Sequence, residues 1–502
     1  MKATTTAPRA SHVNAGTAIR PGDLQWPEST GRVLRLPKTA VEVDRRSEVT
    51  GFGGLALFAA FARRFQIGET LDDVVHLLKL HRPFHESDHV LAIAASLFVG
   101  GTCLEDLANL QHSEAVRRIL GAARLPDPTT AGDFLRRFDG RSLATLRSAH
   151  DTIGRDVGRA LRKRRGKLPL ATVDLDGHFK PLYGVQKQGA DFNYKRQWSY
   201  HPLLVSLAQT GECLALRNRP GNARSSDGAA AVLDELLPQL RDRAERILVR
   251  GDSDFDRQDL RDVAKKHGAF VAIVGREHTG RPDIARGVPE TAYRPFRPRA
   301  WRAVEDHCRR GYKARRRKPN LRRRRARERD YTDLHLVEQQ IAEVPYQPPG
   351  CAHTYRLIIR RQLIKVSQGQ QPLLDQYRYR YVVTDLPGAA EDVIDQTYQR
   401  CDQENLIQQL GAGLAAWRMP VAEFDGNCAW LEIARLAWNM GKWIALLALP
   451  EETIRWEWKR FRLAFIYVSA QVVRSSRQVT LRVSASHRWH RLFVAALERL
   501  QL

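Results

Sequence analysis

The spacing of apolar residues changes along the chain, and each change predicts a different kind of structure. From about residue 51 to 165 they recur at helical intervals, with a break at Gly100–Gly101. From Leu168 they form short runs that predict strands, separated by amphipathic stretches that predict helices. From Gly388 the helical spacing returns. The pattern therefore predicts helices at both ends of the chain and an α/β region between them.

The central region has the order of a mixed sheet. Three strands are predicted first, in "LPLATVDLD", "HPLLVSLAQ" and "ECLALRNR". Helices and strands then alternate, with strands in "RILVRGD" and "AFVAIVG". The resulting order, β-β-β-α-β-α-β, is that of an RNase H-like fold. Residues from about 276 to 387 break the alternation, and pieces such as "TYRLIIRRQLI" predict a β-rich insertion into this α/β fold.

These changes of pattern also divide the chain into segments. The predicted segments are a flexible basic arm (1–45), a helical domain (46–165), the first part of the α/β core (166–275), a basic β-rich insertion (276–387), the completion of the core (388–450) and a C-terminal helical region (451–502). The basic faces of the helices in segment 46–165 favour DNA binding and a plain solvated bundle about equally.

The charge of the chain favours a polyanionic partner. Its 502 residues carry a formal net charge of +25, and Lys and Arg contacts to phosphate supply most non-specific affinity for nucleic acid. A membrane surface is the weaker alternative, because no apolar run reaches the roughly 18 residues that span a bilayer. We expect nucleic acid as the partner and no membrane.

Signals of export and of a cysteine-based site are missing. The first residues, "MKATTTAPRASHVNAG", contain no apolar core of a signal peptide. The six cysteines are widely scattered, and none belongs to a CxxC pair, so neither a zinc site nor a disulfide framework is indicated. We expect a reducing compartment, the cytoplasm.

Acidic residues stand at the ends of two predicted strands. Asp174 and Asp176 are two positions apart in "ATVDLDGHFK" and therefore share a strand face, while Asp252 follows "ILVRG". If the two strands are neighbours, these carboxylates meet at the carboxyl edge of the sheet, where ligands of open α/β sheets bind. Left unpaired, such like charges repel one another. The pattern therefore requires something that neutralises them.

Two neutralisers are available, an arginine or a divalent metal ion. Mg²⁺ prefers oxygen ligands, and two such ions about 4 Å apart stabilise the attacking and leaving oxygens of a phosphoryl displacement. The alternative is that the aspartates cap helices or pair with arginines. A third acid, Glu404, lies on a late predicted helix with Arg400 four residues before it, which also fits an ordinary ion pair on the helix surface.

Taken together, these segments resemble a DDE transposase of the bacterial insertion-sequence type. The matching stretches are "TVDLDGH", "LVRGDSDF" and "YQRCDQEN", the last of which corresponds to a tyrosine–arginine–glutamate signature. Similar stretches also include "YGVQKQGADFNYKRQWSYHPLL" and "NCAWLEIARLAWNM". The resemblance covers about residues 50–450 in consistent order. It implies an RNase H-like core with a β-rich insertion before the glutamate.

The resemblance assigns roles residue by residue. The first aspartate falls on Asp176, with Asp174 as the alternative, the second on Asp252 and the glutamate on Glu404. These three acids would hold two Mg²⁺ ions, for which Mn²⁺ substitutes. Tyr398 and Arg400 would position DNA phosphate, a task that suits the fork of an arginine.

The resemblance also gives a role to the most basic run of the chain. Residues 309–329 hold thirteen Lys or Arg against one Glu. In the family this insertion contacts the transposon end, which implies DNA contacts by Arg315, Arg316, Arg317, Arg322, Arg323, Arg324 and Arg325. The alternative is a solvated loop that binds any polyanion.

Two positions depart from the family pattern. Only Gln399 separates Tyr398 from Arg400, where the family has two residues, and Gly411 stands where the family has a lysine. The resemblance implies a homodimer that binds the inverted ends of an element and cuts and joins double-stranded DNA. Two alternatives stay open: a catalytically silent DNA-binding descendant of such an enzyme, and a metal-dependent nuclease on the same fold.

Overall fold

A computed structural model describes most of the chain. The described residues are 47–277, 280–299, 333–368, 376–475 and 478–501. The predicted arm at residues 1–45 and the basic run at residues 309–329 lie outside them. The seven arginines of that run, for which the resemblance implies DNA contacts, lie outside them as well.

Helices occupy both ends of the described chain and flank the central sheet, as the hydrophobic spacing predicts. The α-helices are α1 (Leu55–Arg64), α2 (Ile67–Val74), α3 (Glu86–Val99), α4 (Leu107–Gln111), α5 (Glu114–Leu120), α6 (Pro128–Arg136), α7 (Gly140–Arg165), α8 (Ala229–Leu240), α9 (Gln258–Lys266), α10 (Arg281–Gly287), α11 (Ala390–Tyr398), α12 (Cys401–Gln408), α13 (Phe424–Ala448), α14 (Trp458–Phe465) and α15 (His490–Gln501).

The strands form one large mixed sheet and two small ones. They are β1 (Glu48–Thr50), β2 (Ala171–Gly177), β3 (Lys180–Pro181), β4 (Asp191–Phe192), β5 (Trp198–Tyr200), β6 (Leu203–Leu207), β7 (Glu212–Arg217), β8 (Ile247–Gly251), β9 (Phe270–Gly275), β10 (Arg294–Pro295), β11 (Asp333–Tyr346), β12 (Tyr355–Gln368), β13 (Gln376–Thr384), β14 (Ala470–Ser475) and β15 (Gln478–Val483).

The large sheet has the strand order β10-β11-β12-β13-β9-β8-β2-β6-β7. Strands β2, β8 and β9 run parallel to one another, and the remaining neighbours pair antiparallel. The predicted order of β2, β6, β7, α8, β8, α9 and β9 is confirmed, and so is the mixed α/β class. The central strands are apolar runs because helices cover them on both sides.

Alternating residues of β8 show how the sheet is covered. Val249 packs with Leu233 of α8 and Leu260 of α9, whereas Leu248 belongs to a separate cluster with Val393 of α11. Successive side chains of a strand point to opposite faces. Helices α8 and α9 therefore cover one face of the sheet here, and α11 covers the other.

The β-rich insertion is confirmed, and its strands extend the same sheet. Strands β11 and β12 are 14 residues long each and pair along most of their length. Strand β13 then pairs with β9, with Val382 opposite Val274. The chain therefore leaves the core after β9 and returns beside β9, so that α11 and α12 resume next to the strands that carry Asp174, Asp176 and Asp252.

Two small sheets were not predicted from the sequence. Strands β3, β4 and β5 have two or three residues each, which is too short for a recognisable alternation. Strands β14 and β15 pair with each other and with β1, inside a C-terminal region predicted as helical. The alternating Val479, Leu481 and Val483 in "QVTLRV" explain this hairpin, since they place their side chains on one face of the strand.

Helix α13 is the centre of the helical part of the molecule. Every residue from Gly426 to Ala448 is buried, and the helix packs against α3, α7, α15 and strand β7. Apolar residues on all sides of a helix are typical of one surrounded by protein, and here a few polar residues interrupt them. Residues from both ends of the chain, such as Leu57 and Phe493, belong to the same hydrophobic cluster. The N-terminal and C-terminal helices therefore share one core.

A buried carboxylate ties this helix to the sheet. Glu432 of α13 is 1% exposed and accepts hydrogen bonds from Arg217 of β7 at 2.6 Å and from Arg147 of α7 at 3.3 Å. Arg435 donates to the other oxygen at 2.7 Å. Although burial raises it, the charges of Arg435, Arg217 and Arg147 lower the pKa of Glu432 to about 2. The ion cluster thus joins α7, β7 and α13.

Within the described ranges, no single helix combines the length and the apolar composition needed to cross a bilayer. Helix α3 and the segment Leu104–Gln111 have that length and composition only as a pair, which is bent by 91°.

We predict that Glu432→Ala lowers the free energy of unfolding by about 3–5 kcal/mol, because it removes the closest counter-charge of the buried Arg435 and the half-buried Arg217. Urea unfolding of the whole chain measures this loss. Asp283→Ala is the control, since it removes an exposed partner of Arg286 and should cost less than about 1 kcal/mol. Equal losses in the two variants would contradict the assigned role of the Glu432 cluster.

Candidate active site

The two strands that carry the predicted aspartates are neighbours. Strands β2 and β8 pair in parallel, with Asp174 opposite Arg250. Strand β2 ends at Gly177 and β8 at Gly251. Asp176 therefore stands at the end of β2, and Asp252 follows the end of β8, at the same edge of the sheet. This is the neighbourhood on which the sequence argument depended.

Asp174 is neutralised by an arginine. Its side chain is 1% exposed and makes a bidentate ion pair with Arg250, with Nε to Oδ1 at 2.6 Å and Nη2 to Oδ2 at 2.7 Å. Arg250 also donates to the carbonyl oxygen of Gln396 in α11. Two parallel bonds to a carboxylate are among the strongest side-chain contacts. The first of the two strand aspartates is thus engaged in holding β2, β8 and α11 together.

Asp176 has a weaker counter-charge. Arg400 Nη1 lies 3.3 Å from its Oδ2, and the backbone N–H of Gly177 donates to its Oδ1 at 2.8 Å. Burial raises the pKa of Asp176 to about 6, and the charges of Asp252 and Glu404 add to the rise, although Arg400 opposes it. The charges of Asp252 and Glu404 therefore both act on Asp176.

Asp252 has a local role as well as a place at this edge. Its Oδ1 accepts a hydrogen bond from the backbone N–H of Asp254 at 2.9 Å and so caps the 3₁₀ turn Ser253–Phe255. Burial raises its pKa, the charge of Asp254 adds to the rise, and Arg400 lowers it. Asp252 thus caps a turn, which was one of the alternatives left open by the sequence. The charge of Arg400 acts on it as well.

Helix α12 is attached to the sheet beside Glu404. Gln403 is 1% exposed, and its Nε2 lies 3.5 Å from the backbone oxygen of Asp174, while Ser206 of β6 donates to its Oε1. Glu404, the next residue, is exposed. Arg400 forms an ion pair with Asp176 and so contacts the sheet edge. The sequence had also allowed an ordinary pair with Glu404 on the helix surface.

Tyr398 is the last residue of α11, and its ring is covered by a cation. The guanidinium carbon of Arg360 lies 4.3 Å from the ring centroid, within the range of a cation–π contact. Its hydroxyl oxygen is buried and has no hydrogen-bond partner among the described residues. The predicted phosphate contact of Tyr398 remains a prediction.

Gly411 lies in a π-helical turn, Gln409–Gly413, directly after α12. A Cβ at Gly411 would stand 2.4 Å from Cδ1 of Trp417, closer than real side-chain contacts allow. The Trp417 indole is held there by a hydrogen bond from Nε1 to the carbonyl oxygen of Ile407 at 3.1 Å. This position therefore has no room for the lysine of the family pattern.

An open groove of about 660 Å³ adjoins Glu404. Its lining includes two cations that the sequence reasoning missed, Lys180 and Arg418, together with His178 and Trp417. Burial lowers the pKa of Lys180, and the charge of Arg418 lowers it further. Because Lys180 lies only four residues after Asp176, its place near the site could have been expected from the sequence. Nothing near Arg418 in the sequence points to the groove.

The donor set at the sheet edge suits a hard cation. Carboxylate oxygens are the ligands that Mg²⁺ prefers, and the raised pKa of Asp176 shows that Arg400 alone does not offset its burial beside like charges. Asp176, Asp252 and Glu404 are therefore chemically suited to hold divalent metal.

A tighter cluster lies in the N-terminal helices. Within the described ranges, ligand atoms of Asp72, His85 and Glu86 lie within 4.8 Å of one another, and the three acids at the sheet edge are not gathered so closely. Asp72 already accepts two hydrogen bonds from Ser87, at 2.9 and 2.8 Å. Glu86 accepts two from backbone N–H groups, at 2.9 and 2.8 Å. These bonds explain the cluster without an ion.

Comparisons with known proteins give one extensive match. A family model described as "Transposase DDE domain group 1" matches residues 37–502. Seven chains of solved structures are similar, among them a piggyBac transposase synaptic complex with hairpin DNA, at 9% identity and a TM-score of 0.36, covering 84% of this chain and 82% of that chain. We infer nothing about the site from a similarity with so low a TM-score. No curated protein matches the sequence.

We predict opposite stability effects for the two aspartates of β2. Asp174→Ala leaves Arg250 buried without its partner and should lower the free energy of unfolding by about 3–5 kcal/mol. Asp176→Asn should raise it at pH 7 by about 1–2 kcal/mol, because a folded-state pKa raised to about 6 makes ionisation of Asp176 unfavourable to folding.

The pH dependence checks the cause. The gain in Asp176→Asn should be present at pH 7 and disappear as the pH falls below about 4, where the wild-type carboxyl is protonated in both states. Urea unfolding with EDTA present measures both variants without a contribution from bound metal. A loss of stability at pH 7 in Asp176→Asn as large as that in Asp174→Ala would refute the distinction.

Proposed function

The chain belongs to the family of transposases with a DDE domain, group 1, and from this premise we propose that it is a DNA transposase of the bacterial insertion-sequence type. It binds the inverted ends of its element and catalyses metal-dependent strand cleavage and strand transfer by cut and paste. The observation that carries this proposal is the placement of Asp176 and Asp252 at one sheet edge, with the charge of Glu404 raising the pKa of Asp176.

The strand order supports an RNase H-like core for this enzyme. Strands β7-β6-β2-β8-β9 form three antiparallel strands followed by two that run parallel to β2, with Asp176 at the end of β2 and Asp252 directly after β8. Catalytic groups of open α/β sheets lie at such carboxyl edges. On this basis the site acts as a polynucleotidyl transferase and endonuclease.

Transposases with a DDE domain generally use divalent metal ions. Here Asp176, Asp252 and Glu404 would hold two Mg²⁺ ions, with Mn²⁺ as a substitute. Two such ions stabilise the attacking and leaving oxygens of a phosphoryl displacement. Arg400 partly neutralises the charge of Asp176 when no cation is bound there. The contact of Gln403 with the backbone of β2 fixes the helix that presents Glu404.

The partner is double-stranded DNA, both the terminal inverted repeats and the target. The net charge of +25 supports strong contacts to phosphate, and the insertion arginines together with Tyr398 and Arg400 supply candidate groups. The N-terminal helices would contribute to binding of the ends, and two copies would bridge them as a homodimer. The enzyme would work on the bacterial chromosome in the cytoplasm.

One observation favours a second candidate function, a catalytically silent DNA-binding protein. Trp417 occupies the space beside Gly411, so the cation that the family pattern places there is missing. Lys180 and Arg418 bring positive charge to the groove beside Glu404, which favours the active enzyme.

We predict that Asp176→Asn, Asp252→Asn and Glu404→Gln each reduce strand cleavage by at least about a thousandfold while DNA binding is retained. The assay uses DNA that carries the element's own ends, with Mg²⁺ or Mn²⁺. Asp242→Asn, at an exposed acid, is the matched control and should cleave normally.

Two outcomes separate the alternatives. Specific binding without cleavage by the wild type, unchanged by the three substitutions, would replace the transposase with the silent DNA-binding protein. Cleavage without joining of the cut end to target DNA would identify a nuclease.

A further inference from the structure

A small aromatic and basic projection adjoins the candidate active site. We call residues 178–200 the flap; it contains β3, β4 and β5 and connects β2 to β6. Tyr183 and Val185 are each 90% exposed, Tyr194 is 77% exposed and Phe192 58%. Large apolar side chains that cluster at a surface mark an interaction site more often than scattered ones do.

One side of the flap is fixed to the segment before α13. Lys187 Nζ donates to the carbonyl oxygens of Met419 and Val421, at 2.5 and 2.6 Å. The hydroxyl of Tyr200 donates to the carbonyl oxygen of Gln188 at 2.6 Å. The Lys187 bonds attach the flap to that segment, and the Tyr200 bond holds two parts of the flap together, so its exposed aromatic residues are presented from an anchored element.

The tip of the flap pairs an aromatic ring with cations. Asn193 Oδ1 accepts hydrogen bonds from the backbone N–H groups of Lys195 and Gln197, at 2.9 and 3.0 Å, which closes the turn between β4 and β5. The turn presents Tyr194, Lys195 and Arg196, and Lys195 Nζ lies 5.4 Å from the centroid of the Tyr194 ring.

The charge of the flap is complementary to phosphate. Its sequence contains four Lys or Arg, at positions 180, 187, 195 and 196, against one acid, Asp191. Lys180 lines the same groove as Glu404, so the base of the flap borders the candidate active site. A nucleic-acid strand that enters the groove therefore meets Lys180, at the start of the flap.

We propose that the flap binds unpaired bases of a DNA end held at the candidate active site, with Tyr194 as the stacking residue and Lys195 and Arg196 on the phosphates. Exposed rings beside cations are the elements with which proteins bind single strands, because every base offers a face for stacking. A paired duplex hides those faces, so the occupant is an unpaired strand. The inference rests on the proposed function and adds a preference for opened ends.

The test compares two labelled DNAs by fluorescence anisotropy, a duplex whose last few base pairs are mismatched and a fully paired duplex of the same length. Wild type should prefer the mismatched end. Tyr194→Ala and Tyr194→Leu should each weaken binding to it roughly tenfold, and Tyr194→Phe should retain it, because stacking needs an aromatic face. Leu463→Ala, at a side chain of α14 that is 56% exposed, is the control and should change nothing.

Three outcomes would overturn the proposal. Retained binding by Tyr194→Leu would show that an apolar side chain suffices and that stacking on Tyr194 is not the cause of the preference. Equal losses on both DNAs would indicate plain phosphate contact. Unchanged preference in Tyr194→Ala, with cleavage by the wild type intact, would reject the flap alone. A wild type that prefers mismatched ends through Tyr194 but cuts no DNA would support the flap and reject the proposed enzyme.

Discussion

The buried ion pair between Asp174 and Arg250 is the constraint on which the candidate site depends. A carboxylate that is 1% exposed would be costly to bury unless it were paired and hydrogen-bonded. Arg250 meets that need from the neighbouring strand and reaches the carbonyl oxygen of Gln396 in α11. Gln403 contacts the backbone of the same aspartate from α12. The charge pair thus joins two strands and α11, and the backbone of the same aspartate holds α12, which together place the remaining acids of the site.

The molecule buries carboxylates in two contrasting ways. Glu432 is surrounded by three arginines, and its pKa falls to about 2, as expected for a group that contributes to stability. Asp176 has one arginine at 3.3 Å and two acidic neighbours, and its pKa rises to about 6. Folding alone gives no reason to keep such incompletely compensated charge. Groups of this kind concentrate at functional sites, where a ligand completes the compensation.

The sequence was sufficient for the features that depend on local pattern. The apolar runs around Val173 and Val249 predicted two strands with acids at their ends, and those acids were expected to share an edge if the two strands were neighbours. The pairing of Arg400 with Asp176 joins residues 224 positions apart, so no local spacing could reveal it. Gly411 was recognisable as a departure from the family pattern, but the Trp417 side chain that fills its space was not.

Other features were missed because their signals are short. The strands of the flap contain two or three residues, and their aromatic residues resemble ordinary core positions until their exposure is known. The C-terminal hairpin was predicted as part of a helical region, because strong helical spacing surrounds it on both sides. In both cases tertiary contacts, rather than the spacing of apolar residues along the sequence, decide the local structure.

Metal-directed cleavage of the protein itself would show whether Asp176, Asp252 and Glu404 hold the same metal ions, as we propose. Fe²⁺ with ascorbate and peroxide would replace Mg²⁺, and the resulting radicals would cut the backbone next to the bound ion. If the three acids share the ions, we expect cuts near all three residues, lost together in Glu404→Gln and suppressed by excess Mg²⁺. Cuts confined to the neighbourhood of Asp72 and Glu86, or the absence of cuts at the sheet edge, would contradict it.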